Sequence, residues 1–139
     1  MNESATLPAR ILVVDDEDSV RLALRRMLES AGYRVEEAAN GRIAMSLCRA
    51  NPPDLMILDI FMPEQEGIET IQAMRREFPA VKILAISGQN AGIYLRMARL
   101  LGAHATLEKP LRMETVLETV RSLLGGCAPQ SSRNSSPPA

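Results

Sequence analysis

Short aliphatic runs alternate with amphipathic stretches along this chain, and that alternation constrains the fold more than any other feature. Strand-helix repeats of this kind build a parallel sheet with helices on its faces. The predicted strands are Ile11–Val14, Arg34–Ala38, Leu55–Leu58, Ile83–Ile86 and Ala105–Leu107. Continuous hydrophobicity in the central runs is typical of strands buried on both faces, whereas the weaker second run indicates an edge strand. The sequence predicts an α/β fold of five strands and five helices.

The amphipathic stretches end where a helix would be expected to stop. A glycine suits the left-handed position that follows a helix, and proline forbids continuation. Asp16 or Asp18 is predicted to cap the start of the first helix. The five predicted ends lie at Gly32, Asn51-Pro52, Phe78-Pro79, Gly102 and Gly125.

Composition limits the classes of function. At 139 residues the chain has room for one core, so we predict a tail at 1–9, a folded domain at 10–124 and a disordered tail or linker at 125–139. The net charge of -1 provides little attraction for phosphates, and two Phe, two Tyr and no Trp provide little for base stacking, so nucleic-acid binding is not expected. No apolar run is long enough for a membrane span. Cys48 is predicted to fill the core, and its separation from Cys127 favours a reducing, cytoplasmic setting.

Polar side chains follow four of the five predicted strands. Asp15 and Asp16 end the first strand, Asp59 ends the third, Ser87 ends the fourth, and Lys109 closely follows the fifth. Open parallel sheets bind ligands at the carboxyl ends of their strands, where the strand order reverses. If strands one and three flank that point, the three aspartates converge in one crevice.

The acidic residues around this crevice indicate a divalent cation. Clustered carboxylates repel one another unless a cation lies among them. Oxygen ligands suit Mg²⁺ better than Zn²⁺, because the single histidine and two separated cysteines supply no nitrogen or sulfur site. Of the 17 acidic residues in the chain, 7 lie just after the first and third strands: Asp15, Asp16, Glu17, Asp18, Asp59, Glu64 and Glu66.

A metal ion, a carboxylate, a hydroxyl and an ammonium together suit a phosphoryl group carried on a carboxylate. Asp59 is the predicted nucleophile. Attack on phosphorus requires that the charge on the equatorial oxygens be neutralised. Mg²⁺, Lys109, and either the Ser87 hydroxyl or neighbouring backbone amides are the predicted contributors.

These residues resemble the receiver domain of bacterial two-component response regulators. The resemblance covers about Arg10 to Leu124 and rests on the motifs ILVVDDED, DLMILDIFMPEQEG, AISG and EKP. It implies a doubly wound, flavodoxin-like parallel sheet of order 2-1-3-4-5. It also implies a signalling phosphoacceptor rather than an enzyme, phosphorylated by a histidine kinase or a histidine phosphotransfer domain. The implied output is a downstream effector protein or a fused output domain, with a phosphorylation-dependent dimer as a further prediction.

The resemblance assigns roles to individual residues. Asp59 is the implied phosphoacceptor. Mg²⁺ is implied to bind Asp16, Asp59 and the backbone carbonyl of Phe61, while Asp15 assists through water. Phosphorylation is implied to change the surface formed by helix four, strand five and helix five.

Ser87 and Lys109 are implied to bind the acyl phosphate, and the Lys109-Pro110 peptide resembles the family's cis bond. Two positions depart from the family pattern. Thr106, three residues before the lysine, occupies the switch position where members commonly carry Tyr or Phe. Phe61, two residues after the phosphoacceptor, is bulky and apolar where members often carry a polar side chain. We predict slow dephosphorylation from this second departure.

A phosphatase of the haloacid dehalogenase type is the alternative with a different nucleophile. The segment Asp16–Val20 satisfies the pattern DxDx[TV] of that family, in which the first aspartate attacks. Its later acidic ligands should follow the fourth strand, where this chain has Ser87-Gly88-Gln89, and the chain lacks the length for a cap domain. A pseudo-receiver scaffold that is not phosphorylated is the second alternative.

Simpler structural explanations stay open at this stage. Asp15 and Asp16 can merely cap the first helix, Ser87 can belong to an ordinary turn, and Lys109 can be a solvated charge. The first helix also carries three arginines that suit either a solvated face or a docking patch for an acidic kinase surface: Arg21, Arg25 and Arg26.

The fourth helix is predicted to direct one apolar stripe toward the core and to leave Leu95 pointing away from it. The predicted core stripe consists of Ile93, Met97, Leu100 and Leu101.

Overall fold

The computed structural model describes residues 7–62, 66–88 and 91–125, in which strands and helices alternate. The strands are β1 (Arg10–Val14), β2 (Arg34–Ala38), β3 (Leu55–Asp59), β4 (Lys82–Ser87) and β5 (Ala105–Glu108). The helices are α1 (Asp18–Ser30), α2 (Gly41–Ala50), α3 (Glu66–Glu77), α4 (Ala91–Leu101) and α5 (Met113–Leu123). Within these ranges no helix is both long and apolar enough to cross a membrane. The predictions that concern Glu64, Gln89, Cys127 and most of both tails lie outside the described residues.

The five strands form one parallel sheet in the order β2-β1-β3-β4-β5. Val14 pairs with Ala38 of β2 on one side and with Leu58 of β3 on the other. The strand order therefore reverses beside β1, which is where open sheets of this kind form a crevice. The structure confirms the doubly wound sheet that the resemblance implies, and β2 lies at an edge as its weak pattern predicts.

Side chains of the central strands alternate between two apolar cores, one on each face of the sheet. In β1, Leu12 and Val14 belong to the core that α2, α3 and α4 cover, whereas Ile11 and Val13 belong to the core under α1 and α5. Every residue of β3 is buried, including Asp59 at its end. The fold thus places the Asp59 carboxylate, at the end of an apolar strand, in a poorly solvated position.

The ends of α1 follow the prediction in one respect and contradict it in another. Gly32, just after the helix, has a φ of 97°, as expected for the left-handed residue that ends a helix. Glu17 occupies the N-cap position and its side chain makes no capping hydrogen bond, so the predicted cap from Asp16 or Asp18 is wrong. The turn is held instead by Asp15, whose Oδ1 accepts a hydrogen bond of 2.9 Å from the Glu17 N–H.

Helix α4 buries a different face from the predicted one. Ala98 is fully buried, and three further side chains pack against the same core: Tyr94, Leu95 and Leu101. Three predicted core residues are instead exposed, by 64%, 40% and 82% respectively: Ile93, Met97 and Leu100. Both stripes have helical spacing and lie one residue apart, so periodicity does not choose between them. The predictions for these three residues and for Leu95 are wrong.

Cys48 lies on the buried face of α2 as a free thiol. Its fractional exposure is 0%, and burial raises its pKa to about 11. A thiol in this position is protonated and packs as a small apolar side chain. The predicted core role of Cys48 is confirmed.

Candidate functional site

The ends of three strands meet at one edge of the sheet. Asp15 directly follows β1, Asp59 is the last residue of β3, and Lys109 directly follows β5. Because β1 and β3 are neighbouring parallel strands, their carboxyl ends lie side by side. Lys109 reaches both aspartates across the end of β4. Residues that are distant in the sequence thus form one cluster.

Lys109 is the cationic centre of this cluster. Its Nζ donates hydrogen bonds to Oδ2 of Asp15 at 3.1 Å and to Oδ2 of Asp59 at 3.2 Å. A longer ion pair of 3.7 Å joins the same ammonium to Glu17. Burial lowers the pKa of Lys109, but the charges of Asp59 and Asp15 outweigh burial and hold that pKa above its usual value. Lys109 is therefore charged and is not a solvated loop residue.

Asp59 is a buried carboxylate with a perturbed pKa. Burial raises its pKa from 3.8 to about 6, and the nearby charge of Asp15 acts in the same direction. The backbone N–H of Phe61 and the ammonium of Lys109 oppose this shift. Asp59 consequently carries a negative charge at neutral pH, but it is more basic than an exposed aspartate. A carboxylate that is both ionised and more basic than usual is well suited to act as a nucleophile.

Asp16 completes a group of three aspartates that is able to hold a metal ion. One carboxylate oxygen from each of Asp15, Asp16 and Asp59 lies within 4.8 Å of the others. Asp16 is exposed, whereas the other two are buried, so the group opens to solvent on one side. Oxygen ligands and an open side fit Mg²⁺, which keeps several positions for water and phosphate oxygens.

Ser87 lies on β4, the strand next to that of Asp59, and Thr106 lies on β5, one strand further along the sheet. Ser87 ends β4 with no exposed surface, and its backbone oxygen accepts a 2.9 Å hydrogen bond from the Lys109 N–H. Thr106 is partly buried in β5, where it pairs in register with Ala85. The Lys109–Pro110 peptide is cis. The backbone thus joins the end of β4 at Ser87 to Lys109.

Phe61 contacts the Asp59 carboxylate through its backbone and helix α4 through its ring. Its N–H donates a 2.9 Å hydrogen bond to Oδ1 of Asp59. Its ring meets that of Tyr94 edge to face, with centroids 5.0 Å apart and planes inclined at 60°. Sequence reasoning singled out Phe61 but missed Tyr94, because no local pattern relates a loop residue to a helix 33 positions later.

Arg21 holds the loop after β1 from the side. Its guanidinium donates to the Asp15 backbone oxygen at 2.6 Å and to Glu37 of β2 at 3.0 Å, and it pairs with Asp18. Arg25 donates to the same Glu37 at 2.6 Å, and this hydrogen bond lowers the pKa of Glu37 against the opposing effect of burial.

These contacts bear on the docking patch proposed for the first helix. Arg21 and Arg25 are engaged within the domain, whereas Arg26 is exposed. Sequence reasoning missed the internal partner. The one available signal was an acidic residue, Glu37, in the edge strand beside the first helix. The patch of three arginines is therefore not available as a unit.

Gly67 permits a close approach to the backbone at the end of β3. A Cβ built on Gly67 would lie 2.4 Å from the Ile60 Cα and 2.8 Å from the Asp59 backbone oxygen. Both neighbours are backbone atoms, which cannot swing away as a side chain can. The first turn of α3 therefore packs directly on the peptides of Asp59 and Ile60, and only glycine fits without a shift.

Comparison with known proteins agrees with this arrangement. The profile of the response regulator receiver domain matches residues 11–121. The response regulator MprA of Mycolicibacterium vanbaalenii is 39% identical over 124 residues, which are 88% of this chain and 53% of that protein. The chain thus spans about half the length of the MprA relatives it matches. The match includes both Asp59 and the Asp16–Val20 segment that fits the phosphatase pattern, and it assigns both to a receiver.

Solved structures support the same assignment. The chemotaxis protein CheY4 of Vibrio cholerae superimposes with a TM-score of 0.77 at 32% identity, covering 84% of this chain and 98% of that one. A CheY-like receiver domain protein of Methanospirillum hungatei gives a TM-score of 0.79 at 28% identity, covering 86% of this chain and 94% of that one. By profile, sequence and fold, the chain belongs to the response regulator receiver domain family of two-component systems.

Proposed function

We propose that Asp59 accepts a phosphoryl group from a phosphohistidine on a histidine kinase or a histidine phosphotransfer domain. The observation that carries this proposal is the contact of 3.2 Å between the Lys109 ammonium and a buried Asp59 carboxylate, beside two further aspartates. Family membership supports it, since receivers are signalling domains. The chain acts in this proposal as a phosphoacceptor that promotes its own modification, not as an enzyme with a separate substrate.

The transfer exchanges one bond to phosphorus for another. An oxygen of the Asp59 carboxylate forms the new bond, and the bond between phosphorus and the donor's imidazole nitrogen breaks. The nitrogen keeps the electron pair and takes up a proton. A pKa of about 6 leaves Asp59 ionised at neutral pH, so no separate base is needed to activate it.

Asp16, Asp59 and the backbone carbonyl of Phe61 are the proposed ligands of Mg²⁺, and Asp15 is the proposed partner of a metal-bound water. The donor set supports this assignment because it consists of oxygens, of which three carboxylate atoms lie within 4.8 Å. When bound, the ion supplies charge neutralisation for the phosphoryl oxygens.

Lys109 and Ser87 are the proposed partners of the transferred group. The Lys109 ammonium already lies beside the acceptor oxygen, where it can pair with a phosphoryl oxygen instead. Ser87 ends the neighbouring strand and its backbone oxygen binds the Lys109 N–H. Thr106 is the proposed switch position on β5, although its side chain has no ring to reorient. These contacts would shift the equilibrium between two conformations of the surface formed by α4, β5 and α5.

The recipient of the signal, the bounds of the folded domain and the cellular location are further parts of the proposal. Because the chain spans only 53% of the MprA relative, a downstream effector protein or a fused output domain is the proposed recipient of the signal, with a phosphorylation-dependent dimer as one form of output. We place the folded receiver at 10–124. A cytoplasmic location is proposed because the buried free thiol of Cys48 suits a reducing compartment.

The test is intact mass and phosphate-affinity gel mobility after incubation with acetyl phosphate, with and without Mg²⁺. Wild type is expected to gain one phosphoryl group only when Mg²⁺ is present, and Asp59→Asn is expected to gain none. A gain that survives in Asp59→Asn and disappears in Asp16→Asn would move the nucleophile to β1. No gain with either acetyl phosphate or a phosphorylated kinase would identify a pseudo-receiver.

A further inference from the structure

The ring contact between Phe61 and Tyr94 joins helix α4 to the loop that follows β3, which we call the acceptor loop because it begins after Asp59. The rings meet edge to face at 5.0 Å between centroids, which is a favourable geometry for an aromatic pair. The chain holds only two Phe and two Tyr and no Trp, so this contact uses half of its aromatic side chains. Its position beside the proposed phosphoacceptor makes it a candidate for a functional contact.

The backbone end of this contact is bound to Asp59 itself. The Phe61 N–H donates a 2.9 Å hydrogen bond to Oδ1 of the acceptor carboxylate. Phosphorylation would replace one carboxylate charge by a larger dianionic group and change what this oxygen accepts. A change in the charge or position of the Asp59 carboxylate therefore acts on the Phe61 peptide through a direct hydrogen bond.

The side chain of Phe61 is only partly enclosed. The residue is 38% exposed, so a displacement of its own backbone is able to carry the ring with it. A phenylalanine side chain has two rotatable bonds, and movement of its peptide displaces the ring directly.

Tyr94 is anchored at its other end. It packs against the core cluster that contains the fully buried Ala98. Its neighbours on the outer side of α4, Ile93 and Met97, are exposed. A displacement of the Tyr94 ring therefore displaces α4, whose outer side exposes apolar side chains to solvent. Strand β5 offers no comparable ring, because Thr106 stands at the position three residues before Lys109.

We infer that Tyr94 is a positioning residue for the acceptor loop and that its contact with Phe61 couples the phosphorylation state of Asp59 to the position of α4. The inference rests on the proposed phosphorylation of Asp59. It gives α4 a mechanical connection to the site through the loop after β3, in place of an aromatic side chain on β5.

The test compares four versions of the 139-residue chain: wild type, Tyr94→Ala, Tyr94→Phe and Met97→Ala. Tyr94→Phe keeps the ring and serves as the conservative rescue. Met97→Ala removes an exposed apolar side chain from the same helix and serves as the matched control. Amide hydrogen exchange in α4 is measured with Mg²⁺ alone and with Mg²⁺ plus excess acetyl phosphate, while intact mass reports the phosphorylated fraction.

Wild type, Tyr94→Phe and Met97→Ala are expected to show the same change of α4 exchange on phosphorylation. In Tyr94→Ala that change is expected to shrink roughly two- to tenfold, the range that an edge-to-face ring pair contributes to an equilibrium. Phe61→Leu keeps apolar bulk without a ring and is expected to behave like Tyr94→Ala. It provides the same test if Tyr94→Ala fails to fold.

Two outcomes contradict the inference in different ways. If Tyr94→Ala and Phe61→Leu are phosphorylated and α4 responds as in wild type, or if Met97→Ala loses as much response, the coupling is wrong and the proposed function stands. If wild type gains no phosphoryl group from acetyl phosphate or a kinase, the proposed function is wrong and the inference fails with it.

Discussion

The Nζ of Lys109 lies 3.2 Å from Oδ2 of Asp59, although 50 residues separate the two in the chain. The same ammonium binds Asp15 at 3.1 Å, so one cation serves two buried carboxylates. An arrangement of one positive and two negative charges is electrostatically incomplete. Burial, together with the nearby charge of Asp15, raises the pKa of Asp59, and a divalent cation would be stabilising here.

Replacing Lys109 by Met is expected to slow phosphorylation of Asp59 by acetyl phosphate by about 10²- to 10³-fold, the usual loss when one preorganised donor to a transition state is removed. The rate is measured by intact mass at saturating Mg²⁺. Lys82→Met is the matched control, because Lys82 is the chain's other lysine and is exposed at the opposite end of the sheet. Equal rates in both variants and wild type would rule out a role for Lys109.

The raised pKa of Asp59 predicts a pH-dependent cost to stability in the metal-free protein. Asp59 binds more protons in the folded state than in the unfolded state between its usual pKa of 3.8 and its folded value of about 6. Its contribution to stability is therefore most favourable below that window and is lost as the pH rises through it. Well above the folded pKa of about 6, where Asp59 is ionised in both states, the cost stays constant.

Asp59→Asn is accordingly expected to stabilise the metal-free protein by about 1–3 kcal/mol at pH 7.5. The advantage over wild type is expected to shrink as the pH is lowered from 6 to 4. Urea unfolding in EDTA at several pH values measures both. An advantage that does not vary with pH would show that the charge of Asp59 is not its source.

Phe61→Asn is expected to speed loss of the acyl phosphate several-fold, because a polar side chain at this position can orient the attacking water and the apolar ring cannot. The decay is followed by intact mass after removal of the donor. Phe61→Leu keeps an apolar side chain and is expected to decay at the wild-type rate. Slower decay in Phe61→Asn would contradict the prediction of slow dephosphorylation in wild type.

Gly67→Ala is expected to lower the free energy of unfolding by about 1–3 kcal/mol, because the added methyl group meets backbone atoms that cannot move aside. The Cβ would lie 2.4 Å from the Ile60 Cα. Gly92→Ala is the control, since nothing lies within 4 Å of a Cβ there. It is expected to be neutral or stabilising by up to about 1 kcal/mol. Similar urea midpoints for the two variants would contradict the close approach at Gly67.

Much of the site could be predicted from the sequence because its chemistry lies at the ends of apolar strands. Asp15, Asp59 and Lys109 each follow a hydrophobic run, and parallel strands bring their carboxyl ends to one edge of the sheet. Connectivity alone places them on one edge, and the strand order β1-β3-β4-β5 then brings them together. The same reasoning could not predict that Asp16 stays exposed while its neighbour is buried.

The amino-acid sequence by itself determined the order of strands and helices and the residue types at their ends, because these depend on local periodicity and on which residues stop a helix. Only the tertiary structure decided which stripe of α4 is buried, since Ile93 and Tyr94 both belong to helical repeats and the sheet selects one. It also decided that Arg21 binds Glu37 and that Phe61 meets Tyr94. Contacts between distant residues depend on how whole elements pack, and no local pattern contains that information.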